Sequence, residues 1–196
     1  MHIEELSMNA WPALQTLLYD GWVIRFANGY TKRANSINPI YKSQLDAAEK
    51  IANCERLYRQ RNLDVVFKMT SAVHPKNLDE MLASREYRVD SPTSVQTMVL
   101  NGADSPLSAD LDTALTDEWL ADFCRMSGVN DERKSTLRQM LANIVPQKCF
   151  AAIRQGGETV ACGLCVLQEN TSGSMTSSRK HPFEIKGTAD KSCATC

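Results

Sequence analysis

The stretch Lys148–Asn170, KCFAAIRQGGETVACGLCVLQEN, constrains the fold more than any other part of the chain. A short apolar run, Cys149–Ile153, is followed by Gln155-Gly156-Gly157, and Glu158-Thr159 opens a longer run through Leu167. Two apolar runs split by a Gly-Gly turn predict a β-hairpin, because glycine accepts the positive φ of a tight hairpin turn. Both runs are nearly continuous in apolar residues, so the hairpin is expected to be covered on both faces, as in a sheet with helices packed against it.

The elements before it are read from periodicity and caps. Ile3–Leu18 carries apolar residues at helical spacing and is broken by Pro12, which predicts two short helical pieces. Gly21–Ala27 reads as a strand, Asn28-Gly29 as a hairpin turn and Tyr30–Ile37 as the return strand. Ser43 is expected to cap a helix running to about Arg61, with Leu45, Ala48, Ile51, Ala52 and Tyr58 inward. Asp64–Met69 reads as a buried strand, Asn77–Ser84 as a short helix and Ser94–Leu100 as another strand. Asn101–Ala109 is Gly/Pro/Ser-rich and aperiodic, which places a linker at about 102–112 between a first unit, 1–101, and a second, 113–170. Thr116 caps a helix that Gly128 ends, and Asn130 caps another that Pro146 stops. The fold class expected is α/β of the α+β kind: mixed sheets flanked by helices, with the second unit incomplete because two helices and two strands bury too little.

At 196 residues the chain can build one good core or two small ones, and its net charge of -1 gives no bulk attraction to nucleic acid or an anionic membrane. No apolar run is long enough to span a bilayer. The N-terminus, MHIEELSMNAWPALQ, has neither a basic leader nor a long apolar stretch, so a cytoplasmic location is expected. The seven cysteines, scattered through apolar segments, then read as reduced thiols that pack as small hydrophobes.

Two helices followed by a long hairpin resemble the opening of the GNAT acetyltransferase fold, and GETVACGLCVLQEN looks like that family's second hairpin strand. GWVIRFANGYTKRANSINP, followed by a capped helix and a VFK strand, is similar to the first region of bacterial two-unit GNAT proteins. The resemblance covers Ile3 to Asn170. It implies transfer of an acetyl group from acetyl-CoA, as co-substrate, to the amine of a small molecule or peptide. It also implies a loop of pattern R/Q-x-x-G-x-G/A whose backbone amides close round the CoA pyrophosphate at a helix N-terminus. This sequence has no such loop after Asn170 or in its first unit, so no cofactor-binding residue and no catalytic acid or base is carried onto a numbered position.

Thr171–Cys196, TSGSMTSSRKHPFEIKGTADKSCATC, is Ser/Thr/Lys-rich and aperiodic, which predicts a disordered polar tail. A sharper reading is a frame shift. Read from the last base of the Asn170 codon, ordinary codon choices for this tail give YIGLYDIVAEASVRNKGHGRQIVRNL. That string holds a strand, then R-N-K-G-H-G at the spacing the resemblance demands. The chain is therefore expected to be a truncated or frame-shifted GNAT protein with impaired acetyl-CoA binding. The alternative is a non-catalytic protein that recruits a partner, or a second copy of itself, through an exposed hairpin edge.

Other constellations carry less. Cys162-x-x-Cys165 and Cys193-x-x-Cys196 have the look of zinc ligands, but residues three apart in a strand point to opposite faces, so no metal is expected. Arg25, Phe26, Tyr30, Lys32 and Arg33 mix basic and aromatic residues, yet with this net charge they read as the polar side of a hairpin facing solvent or a cleft rather than a nucleic-acid platform. On the cleft reading, Arg33 and Asn35 are the candidate substrate contacts. His2, His74 and His181 stand apart from any nucleophile pattern, and Cys54, Cys124 and Cys149 read as packing.

Overall fold

The structure, a computed structural model, describes residues 3–97 and 109–168, together with the backbone of 171–179. Helix α1 (Ile3–Ala10) leads into an antiparallel sheet of β1 (Gln15–Tyr19), β2 (Trp22–Phe26) and the two-residue β3 (Ile37–Asn38). Helices α2 (Ala47–Arg59) and α3 (Leu78–Ala83) come next. A second antiparallel sheet has the order β4-β5-β6-β7, from β4 (Asp110–Asp112), β5 (Gln147–Gln155), β6 (Glu158–Gln168) and β7 (Thr171–Arg179), with α4 (Asp117–Ser127) and α5 (Asp131–Ala142) between β4 and β5. The architecture is α+β.

The first sheet departs from the sequence reading. Residues 15–19 form a strand, not a second helical piece, because Asp20-Gly21 makes the tight turn (φ 43° and 80°) that pairs Tyr19 with Trp22 and Gln15 with Phe26. Asn28 and Gly29 do turn the chain (φ 49° and 69°), but they lead into a 3₁₀ turn at Lys32–Ala34 and then β3, rather than a full return strand. Helix α2 is capped by Asp46, whose Oδ1 accepts from Glu49 N at 3.0 Å, and not by Ser43. Leu45 therefore falls outside the helix and is half exposed. The segment 64–69 joins the sheet through one parallel bridge, Ile37 to Phe67, held by Ile37 N to Val66 O and Lys68 N to Ile37 O. Residues 94–97 are exposed and irregular where a strand was expected; 98–108, with most of the expected linker, lie outside the described residues.

In the second sheet the caps act as read. Thr116 Oγ1 accepts from Trp119 N, Asn130 Oδ1 accepts from Arg133 N, and Gly128 closes α4 in the left-handed region. The β5–β6 hairpin forms around Gly156-Gly157 (φ 59° and 84°). It is not buried on both faces: Phe150, Ala152, Cys162, Leu164 and Val166 are buried, while Cys149, Ala151, Ala161, Gly163 and Cys165 are half-buried. Two further strands complete the sheet. Asp110–Asp112, expected as linker, pairs with β5, and Thr171–Arg179, expected as a polar tail, pairs along β6. An open strand edge offers unpaired amides and carbonyls to any extended segment, whatever its side chains. β7 lies along β6 from Ala161 to Gln168, whereas β4 covers only Phe150–Ala152 of β5, and β4 and β7 are now the edges of the sheet. Residues 180–196 lie outside the described residues.

Two cores result. One joins Trp22, Ile24, Phe26 and Ile37 of the first sheet to Ile51, Cys54 and Tyr58 of α2 and to Leu78 and Leu82 of α3. The other holds Trp119, Leu120 and Phe123 of α4, Leu137, Met140 and Leu141 of α5, and Phe150, Leu164 and Val166 of the hairpin. Ala10, Trp11, Ala27, Tyr30 and Ala34, from the first part of the chain, belong to this second core.

Candidate functional site

The loop after β2 is shaped by one amide. Asn35 Oδ1 accepts from Ala27 N at 2.7 Å and Gly29 N at 3.1 Å, while its Nδ2 donates to Thr31 O at 2.9 Å and Ala27 O at 3.4 Å. Thr31 Oγ1 caps the 3₁₀ turn and accepts from Trp11 Nε1 at 3.3 Å. The guanidinium of Arg25, almost fully buried, donates to Arg33 O at 2.7 Å and to Trp11 O, so it ties the end of α1 to the end of the 3₁₀ turn. Burial lowers its pKa to about 10. From the other side, Arg133 at the start of α5 donates to Tyr30 O, and its guanidinium lies 5.1 Å from the centre of the Tyr30 ring.

This loop and the segment after α2 enclose a cleft of about 230 Å³, lined by Gly29, Thr31, Lys32, Asn35, Asn62 and Asp64 among others. Lys32 on one wall pairs with Asp90, and that pairing holds the Asp90 carboxyl below its ordinary value. Asp64 on the other wall presents an exposed carboxylate. The cleft therefore brings both signs of charge together, the Lys32 ammonium on one wall and the Asp64 carboxylate on the other.

The two sequence-derived candidates separate here. Asn35 lines the cleft but is 5% exposed and spends its amide on the loop backbone. Arg33 is exposed, and its carbonyl serves Arg25. The sequence reading also missed the buried pair of Lys50 with Asp20. Lys50 Nζ donates to Asp20 O at 2.5 Å, and Asp20 Oδ2 in turn accepts from Leu45 N at 2.9 Å. The available signals were Asp20-Gly21, a turn dipeptide as strong as Asn28-Gly29, and a lysine beside Ile51 on the apolar face of α2.

No group of three or more His, Cys, Asp or Glu side chains that could hold a metal occurs among the described residues. Cys162 and Cys165 face opposite sides of β6. Burial pushes Cys54 up to about 12 and Cys162 up to about 11, so both stay protonated and pack. His74 contributes its carbonyl to Trp22 Nε1 at 3.1 Å. Among the described residues no helix is long and apolar enough to cross a membrane.

The starts of the five α-helices described are poor anion sites. The first turn of every one carries acid: Glu4 and Glu5 in α1, Glu49 in α2, Asp79 and Glu80 in α3, Asp117 and Glu118 in α4, Asp131 and Glu132 in α5. Carboxylates there already complement the helix dipole and repel a second anion.

Two antiparallel sheets flanked by helices define an α+β protein, and comparison with known proteins places it among the acetyltransferases. Residues 1–163 match the family model described as "Probable histone acetyltransferase Rv0428c C-terminal", and the chain belongs to that family. It is 26% identical over 154 residues to a protein of Bacillus subtilis (strain 168) named "Uncharacterized N-acetyltransferase YobR". The match covers 76% of this chain and 61% of that relative's length. No solved structure matches the chain.

Proposed function

We propose that this is a GNAT-type N-acetyltransferase that moves an acetyl group from acetyl-CoA to an amine. The family match over 1–163 carries the reading. The acceptor enters the cleft between the Gly29–Asn35 loop and the segment after α2, where the Asp64 carboxylate attracts its ammonium; Arg33, exposed next to Lys32 in the chain but not in the cleft lining, is the candidate for an acidic or polar tail that reaches out of it. Whether the acceptor is a free amine or a peptide amine is decided by assay: release of CoA thiol is followed with acetyl-CoA and a panel of both. Turnover with any of them supports the reading. Its absence at millimolar acetyl-CoA, where weak binding is overcome, counts against it.

The chain as it stands is proposed to bind acetyl-CoA weakly. The pattern R/Q-x-x-G-x-G/A occurs nowhere in the sequence, and the described helix starts are acidic. Calorimetry with acetyl-CoA is expected to show no binding in the micromolar range; tight binding overturns this part alone. Sequencing the gene across the Asn170 codon tests the frame shift directly.

A further inference from the structure

Cys149 on β5 and Cys165 on β6 stand directly opposite each other in the antiparallel register. Residues so placed have Cα atoms about 4.5–5.5 Å apart, with side chains on the same face of the sheet. A disulfide spans Cα separations of roughly 4.4–6.8 Å, so register alone brings the two sulfurs within bonding reach. Both residues are half-buried, on the face away from Phe150, Leu164 and Val166, whereas Cys54, Cys124 and Cys162 are buried. Their same-face neighbours toward the turn are Ala151 and Gly163, which offer little cover.

We propose that Cys149 and Cys165 form an oxidisable dithiol, a modification site that a peroxide closes into a cross-strand disulfide and a dithiol reductant reopens. One thiolate attacks the peroxide O–O bond, becomes a sulfenic acid and releases the first water. The second sulfur then displaces the hydroxyl, the S–S bond forms and a second water leaves. The two sulfurs together give up two electrons, which the peroxide oxygens take. A soft, thiophilic trivalent arsenical meets the same two sulfurs as a chelating pair.

The test uses the full chain with Cys193→Ser and Cys196→Ser, so that the tail cannot compete. After hydrogen peroxide, free thiols are alkylated and the protein is digested with trypsin, which cuts after Lys148 and Arg154. The expected product is the Cys149–Arg154 peptide joined through Cys165 to the peptide that comes after it, lost on treatment with dithiothreitol. Phenylarsine oxide is expected to bind at one equivalent, to be retained in Cys162→Ala and lost in Cys165→Ala. Full alkylation of Cys149 after oxidation, or a link from Cys149 to Cys162, overturns the proposal. The peptide mapping keeps both cysteines of the pair in place, so it stands even if the Cys165→Ala chain fails to fold.

Discussion

Lys50 Nζ lies 3.1 Å from the carboxylate of Asp20, and beneath it the centre of the Trp22 ring is 4.2 Å away. The lysine side chain has no exposure, so burial lowers its pKa while Asp20 draws it back up. Lys50→Ala removes a buried cation and its stem together, and is expected to lower the unfolding free energy by about 3 kcal/mol. Lys50→Met keeps the stem against Trp22 and is expected to cost about 1 kcal/mol. Urea unfolding of the two variants checks the difference; equal losses would assign the whole effect to the charge.

Tyr30 gives the alkaline limit a sign. Burial raises its pKa to about 12, while a tyrosine in the unfolded chain ionises near about 10. Between these values the unfolded state gives up a proton that the folded state keeps. The contribution of Tyr30 is thus fully present below about pH 10 and is lost as pH rises through about 12. Urea midpoints measured across this range are expected to fall for the native chain and to fall less for Tyr30→Phe.

Asn35 and Arg33 are neighbours with opposite expectations. Asn35→Ala strands the buried Ala27 amide and releases that of exposed Gly29, and is expected to cost about 2 kcal/mol. Arg33→Ala, at an exposed position, is expected to leave stability within about 0.5 kcal/mol. If the cleft takes the acceptor, Arg33→Ala raises KM for the acceptor and leaves kcat unchanged; an unchanged KM removes Arg33 from the site.

The two tight turns differ in what surrounds them. A Cβ on Gly21 would sit 2.3 Å from Lys42 O and 2.8 Å from Tyr41 O, with φ at +80°. Gly21→Ala is therefore expected to cost about 3 kcal/mol. At Gly157 a Cβ meets nothing within 4 Å, so Gly157→Ala carries backbone strain alone, about 1 kcal/mol. Thermal unfolding of both variants compares them.

What could be read from residues alone was local. Thr116, Gly128 and Asn130 announce α4 and α5 because a cap is a short-range bond between a side chain and the next turn of its own helix. The first sheet hid because two turn dipeptides compete. Asn28-Gly29 looks as strong as Asp20-Gly21, and the choice is made by which flanking segment can pair with β2. Ser43 and Asp46 compete in the same way for the start of α2, and Asp46 wins where the carboxylate of Asp20 already holds the amides of Gln44 and Leu45. Arg33 and Asn35 were picked from a predicted strand; the loop that buries one and exposes the other depends on Arg25 reaching Trp11, a contact no spacing rule contains. β7 was missed because its Ser/Thr texture has no apolar period, and the register that seats it belongs to β6.

Trp11 and Tyr30 sit in the same interior as Phe123 and Leu141. A protease that nicked the chain somewhere within residues 98–108 would not yield two autonomous halves. Each fragment would carry aromatic surface that only the other can shelter, and the pieces would travel together through a sizing column until denaturant pulled them apart.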